Sequence, residues 1–199
     1  KTPIGKKSLF DMGRIDSEKM YSNVQKWNWR NINDGKIYLD EQSKRNAISM
    51  RNSLMRLSTA FAVQGDTIKA VEVLDLSIDK MPIKDFDHFS LSLDYPEMYY
   101  KLGEVEKARA TAETLIKLFR EKLVWHSTFS KEEFDLVFED FDLTFRYLYR
   151  GVLEQVQDNE VDYTYFKKLQ DEFNGTLELF QHIIPNQETT PEDLELIKD

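Results

Sequence analysis

The sequence predicts an all-α fold built on a repeated helical hairpin, and three observations carry that prediction. Apolar residues recur at spacings of three and four through most of the chain, the period of one helix face. No segment shows the apolar–polar alternation of a half-buried strand. The Gly-Asp break inside TAFAVQGDTIKA returns 38 residues later as the Gly-Glu break inside MYYKLGEVEKA. Placing Gly65 on Gly103 also places Phe61 on Tyr99, Asp66 on Glu104 and Ala70 on Ala108. One such hairpin cannot bury its own apolar faces, so repeated hairpins stack on neighbours and need further helices to flank them.

The elements follow in order. Asp16 or Ser17 is expected to cap a first helix carrying Met20, Tyr21, Val24 and Trp27. The polar run NINDGK separates it from a helix beginning near Asp40. There Leu54, Leu57, Ala60 and Phe61 share a face until Gly65 ends the pattern and Asp66 caps the next helix. Ile68, Val71, Leu74, Ile78 and Met81 continue the period until Pro82 stops it. In the second hairpin Pro96 makes the first helix start at, or kink around, Asp94-Tyr95-Pro96. Ser130-Lys131-Glu132-Glu133 fits a capping box opening a long helix with Phe134, Val137, Phe138, Phe141, Phe145 and Leu148. A last helix runs from about Val161 through Tyr165, Leu169, Phe173, Leu177 and Phe180, about seven helices in all. The expected organisation is one domain: an N-terminal helix and loop over 16–40, two helix pairs over 41–123, C-terminal helices over 124–184, and a polar tail over 185–199 with a short turn after Thr190-Pro191.

At 199 residues the chain is long enough for one sizeable core. No run approaches the roughly 20 apolar residues of a membrane helix, and the chain has no cysteine, which excludes disulfides, thiolate metal sites and a cysteine nucleophile. Its net charge of -9 is unevenly spread. Residues 1–56 hold 12 Lys/Arg against 6 Asp/Glu, and the remainder 15 against 30. So acidic a body repels a phosphate backbone, and nucleic acid is not expected as a partner. Lys1, Lys6 and Lys7 are too sparse for a polybasic membrane anchor and read as a solubilising end.

No catalytic constellation stands out. His88, His126 and His182 lack ligand spacing and read as surface or boundary histidines, so no metal is expected. Glu132, Glu133, Glu139, Asp140 and Asp142 form an acidic helix that offers paired carboxylates for a hydrolase. Interleaved with core-spaced phenylalanines, they read instead as a solvated face. Trp27-Asn28-Trp29 suggests sugar stacking, but more simply one tryptophan anchors the first helix on the array and the other half-covers it. No phosphate loop, nucleophile elbow or calcium loop occurs, and neither a cofactor nor an enzymatic activity is expected of this chain.

The repeat itself resembles the tetratricopeptide repeat. Gly65, Ala70, Gly103 and Ala108 are its small residues where helices approach, Phe61 and Tyr99 fill between them, and Leu57 and Pro82 match its flanking positions. The second unit departs from the pattern with Pro96 at a small-residue position, and the period exceeds the usual 34 or so, an excess assigned to the connector IKDFDH. The resemblance implies an α-α superhelix with flanking helices, whose concave side takes a protein or peptide. Carried over, its groove positions are Asn52, Met55, Thr59 and Ala62 in the first unit, and a shift of 38 gives Ser90, Leu93, Glu97 and Tyr100 in the second, with Lys101 beside them as a further candidate contact.

A wider resemblance covers residues 13–109. GRIDSEKMYSNVQKWNWRNIND, IYLDEQSKRNAISMRNSLMRLSTAF, AVEVLDLSIDKMP and EMYYKLGEVEKA together look like the C-terminal soluble region of a Bacteroidetes family of large multi-spanning membrane proteins. The membrane part of that family resembles protein O-mannosyltransferases. The resemblance implies a non-catalytic domain that meets the membrane only through its parent chain and positions a partner or acceptor. It implies the periplasmic side of the inner membrane, whereas the basic start of the chain favours the cytoplasm. A second expectation is a purely structural domain docked on its own parent.

Overall fold

The computed structural model describes residues 2–3, 14–30, 32–33, 36–86, 92–160 and 162–183. The chain is all-α. Among the described residues the only extended pairing is a two-residue antiparallel one, β1 (Thr2–Pro3) against β2 (Arg14–Ile15). The chain divides into two compact units, Lys1–Leu115 and Ile116–Asp199.

In the first unit α1 (Ser17–Val24) starts where the Asp16 carboxylate accepts the Lys19 N–H at 3.2 Å. It ends at Val24, so Trp27 lies in the turn beyond it rather than on the helix. There Trp27 and Trp29, their ring centres 5.4 Å apart, both pack half-buried on the core. Asp40 caps α2 (Glu41–Gln64) by accepting the Ser43 N–H at 2.6 Å. Leu54, Leu57 and Phe61 of α2 are buried with Ala70 and Val73 of α3 (Thr67–Lys80), each fully buried Leu or Phe worth about 1.5–3 kcal/mol. The Ser58 hydroxyl donates to the Ala70 carbonyl at 2.8 Å, which demands the close helix approach that Ala70 permits. Ile68, one of the residues expected on the apolar face, is 73% exposed, because it points away from α2 in the first turn of α3.

A second core cluster joins Leu74 of α3 to Tyr95, Met98 and Tyr99 of α4 (Asp94–Lys101) and Ala108 of α5 (Val105–His126). Pro96 is the third residue of α4, a position where its missing N–H deprives the helix of nothing. The Tyr99 phenol donates to Asp75 at 2.8 Å and Lys107 to the same carboxylate at 2.7 Å, tying α3, α4 and α5 together. Burial, then the Asp75 hydrogen bond, push that phenol far above its usual titration.

The helical breaks at Gly65 and Gly103 are the same turn. Their φ values are +81° and +80°, the left-handed region that glycine enters without strain. The Gly65 N–H bonds the Ala62 carbonyl at 3.0 Å and the Asp66 N–H reaches back to Phe61 at 3.0 Å. The matching bonds, Gly103 to Tyr100 at 3.0 Å and Glu104 to Tyr99 at 2.9 Å, close the second turn. Both satisfy the last carbonyls of the preceding helix in the same way.

In the second unit α6 (Lys131–Asp142) opens on the expected capping box, with reciprocal Ser130–Glu133 bonds of 2.9 and 3.3 Å. It runs directly into a π-helical stretch (Leu143–Tyr149) and then α7 (Arg150–Asn159). Asp162 caps α8 (Tyr163–Glu178). Rings join these elements: Phe141 meets Phe134 at 5.0 Å and Phe180 at 4.6 Å, and Phe145 stacks on Phe173 at 4.6 Å. Phe138, expected among the core residues of α6, is half out of the core. The tail over 185–199 lies outside the described residues.

Candidate functional site

In the first unit α2 and α4 build most of a groove of about 460 Å³, and Thr67 of α3 and Leu102 complete its lining. Met55, Thr59, Ala62 and Val63 line it from α2, at spacings that keep them on one face. Asp94, Glu97, Met98 and Lys101 line it from α4, again three and four apart. Thr59 donates its hydroxyl to the Met55 carbonyl at 2.9 Å, so its hydrogen-bonding capacity is turned back on its own helix. Lys101 pairs with Glu97 one turn away. Partial desolvation, then the neighbouring Glu97 carboxylate, raise the Asp94 carboxyl above its ordinary range, and Lys101 only partly opposes them.

Of the nine positions carried over as groove contacts, Met55, Thr59, Ala62, Glu97 and Lys101 line this one groove. Asn52 and Leu93 are half-buried and do not line it, and Tyr100 is buried in the core beside Leu74. Ser90 lies outside the described residues, as does His88. The sequence reading missed Val63, Thr67, Asp94, Met98 and Leu102. The signal for two of them was present, since Asp94 and Met98 fall three or four residues from Glu97 and Lys101 on the same face.

The sequence reading also missed a buried cation. Arg51 is 2% exposed, donates to the Ser92 hydroxyl at 2.8 Å and to the Met81 carbonyl, and lies over the rings of Phe86 and Tyr95 at 5.7 and 6.0 Å. Desolvation lowers its pKa. It ties the chain leaving α3 to the chain entering α4, and Tyr95 extends the network to Ser77 at 2.5 Å.

In the second unit the acidic residues of α6 are divided among different partners. Asp140 accepts from Lys122 at 2.6 Å and pairs with His126 Nε2 at 3.1 Å, Asp142 pairs with Arg146 at 2.8 Å, and Glu139 is exposed. His126, expected at the surface or its boundary, is fully buried, because it continues the buried face of Phe119 and Leu123 on α5. The rings of Trp125, Phe129 and Phe141 surround it, and its Nδ1 has no partner among the described residues. His182 is exposed. An open hollow of about 630 Å³ lies against Arg120, Lys167, Lys168, Asp171 and Glu172, where cations and carboxylates largely cancel. Among the described residues no three metal-ligating side chains meet, and no helix is long and apolar enough to cross a membrane.

Set against known proteins, the chain matches no family model, and neither a curated protein nor a solved structure is significantly similar to it.

Proposed function

We propose that this chain is a non-catalytic interaction module: a tetratricopeptide-like helical-repeat domain whose groove holds a polypeptide. In this reading it is the soluble, periplasmic part of a membrane glycosyltransferase-like protein and positions a partner or acceptor for it. The observation that carries the reading is the convergence of Met55, Thr59, Ala62, Glu97 and Lys101 on one groove. Met55, Thr59 and Ala62 are groove positions by resemblance to the tetratricopeptide repeat, Glu97 is the 38-residue equivalent of Thr59, and Lys101 lies beside it. The identical turns at Gly65 and Gly103 support the frame, and an apolar floor between polar walls suits a peptide.

Docking on the parent chain is the second reading. It is favoured by the exposed side chains of Leu136, Leu143 and Tyr147, which leave apolar surface uncovered on α6 and the π stretch. One experiment separates the two. A photo-crosslinking amino acid is placed at Val63 in the groove, or at Leu136, in the full-length protein in its native envelope. Crosslinks from Val63 to a separate polypeptide are expected. Crosslinks from Leu136 to the parent's membrane region, with none from Val63, establish the structural reading instead.

A further inference from the structure

We propose that the groove selects a polypeptide segment in which an apolar side chain enters between Met55 and Met98 while a lysine or arginine of the same segment lies against Asp94. The inference rests on the reading of the groove as a peptide site and adds the chemistry of its ligand.

The apolar half of the argument comes from the floor. Met55, Ala62, Met98 and Leu102 line it, and Val63 at its edge is 69% exposed. An aliphatic side chain left that far in water gains by being covered, at about 25 cal/mol for each Å² removed. Two methionines make the floor adaptable, because an unbranched thioether refills around side chains of different shape. The floor thus asks for an apolar side chain without fixing which.

The charged half comes from an imbalance. The lining holds two carboxylates, Asp94 and Glu97, and one ammonium, Lys101. Lys101 engages Glu97, leaving Asp94 as the excess charge beside an apolar surface. Desolvation and then the Glu97 carboxylate raise the Asp94 carboxyl, and Lys101 offsets them only in part. A basic side chain on the incoming segment restores the balance, a neutral one leaves it, and an acidic one adds a third negative charge. Complementarity of this kind decides which partner binds more than how tightly. Lipid headgroups and nucleic acid bring phosphate, which the same carboxylates repel.

The test is a selection of random short peptides displayed on phage against the purified full chain. Recovered peptides are then measured by fluorescence anisotropy, at physiological ionic strength, on the wild type and on Asp94→Asn, Lys101→Ala, Thr59→Trp and Val63→Asn. Thr59→Trp fills the groove; Val63→Asn removes its exposed apolar edge, and it stands alone if thermal melting shows that the bulky variant fails to fold. The expected result is peptides with Lys or Arg within one helical turn of Leu, Met, Ile or Phe. Their binding weakens about two- to fivefold in Asp94→Asn, the scale of one exposed ion pair. It strengthens in Lys101→Ala and is lost when the groove is filled. Groove-dependent peptides that are neutral or acidic, or indifferent to Asp94→Asn, overturn this inference and leave the peptide-site reading standing. Peptides that bind both groove variants as well as wild type, or no peptides at all, overturn both.

Discussion

Arg51 and His126 are polar side chains that occupy buried helix faces where an apolar residue is the usual choice. Arg51 occupies the face set by Ala47 and Leu54, so its place was legible from helical spacing. Its burial was not, because arginine is almost never fully buried unless its guanidinium is satisfied, and its acceptors, Met81 and Ser92, are distant in sequence. Arg51→Ala is expected to lower the unfolding free energy by about 3–5 kcal/mol, through the cavity and the two abandoned acceptors. Arg51→Met loses less, since methionine refills the volume of the stem; urea titration of both variants measures the difference. His126 predicts a pH dependence. Burial outweighs the opposing pull of Asp140 and holds the imidazole below its usual value. As pH falls, the unfolded chain therefore takes up the proton first. Stability is full above about pH 6.5, declines below it, and levels off once the folded ring also titrates. In urea melts at several pH values, His126→Gln should show a shallower decline between neutral and mildly acid solution than the wild type.

Elements whose signals are local in sequence were legible. Asp16, Asp40, Asp66 and Ser130 each cap a helix by accepting an N–H three residues on, a pairing that needs no tertiary information. Gly65 and Gly103 were legible because a left-handed C-terminal turn all but demands glycine. A Cβ at either position meets nothing within 4 Å, so substitution there costs backbone conformation and no clash. Gly65→Ala and Gly103→Ala should each destabilise by about 1–2 kcal/mol, and the corresponding asparagine variants by less, as read from thermal melts. The π stretch at Leu143–Tyr149 had no such signal. Its longer bonding step depends on how α6 and α7 are packed, and no residue type announces it. The early end of α1 was obscured likewise, because Trp27 falls in phase with Met20 and Val24 although the chain has already left the helix.

At the scale of the whole molecule, the division between the units falls inside α5, between Leu115 and Ile116. It was illegible because the buried face of that helix passes from Ala108 and Ala112 through Leu115 to Phe119 and Leu123 without interruption. A fragment ending at Leu115 keeps only a stub of α5, shorter than the ~12–15 residues at which a helix begins to hold in water. A fragment ending at His126 keeps all of it, and circular dichroism should show the longer fragment melting at the higher temperature. The groove was partly legible because a repeat frame transfers positions from one unit to the next, whereas its charge balance needed α2 and α4 placed side by side. The paired turns carry a consequence for how such a chain changes length. Joining Gly65 to Glu104 by deletion, or copying residues 66–103 after Gly103, produces only a glycine junction that already closes on the carbonyls behind it. Recombination between the two turns is therefore conservative at the backbone: it lengthens or shortens the chain by a step of 38 residues without requiring a new loop.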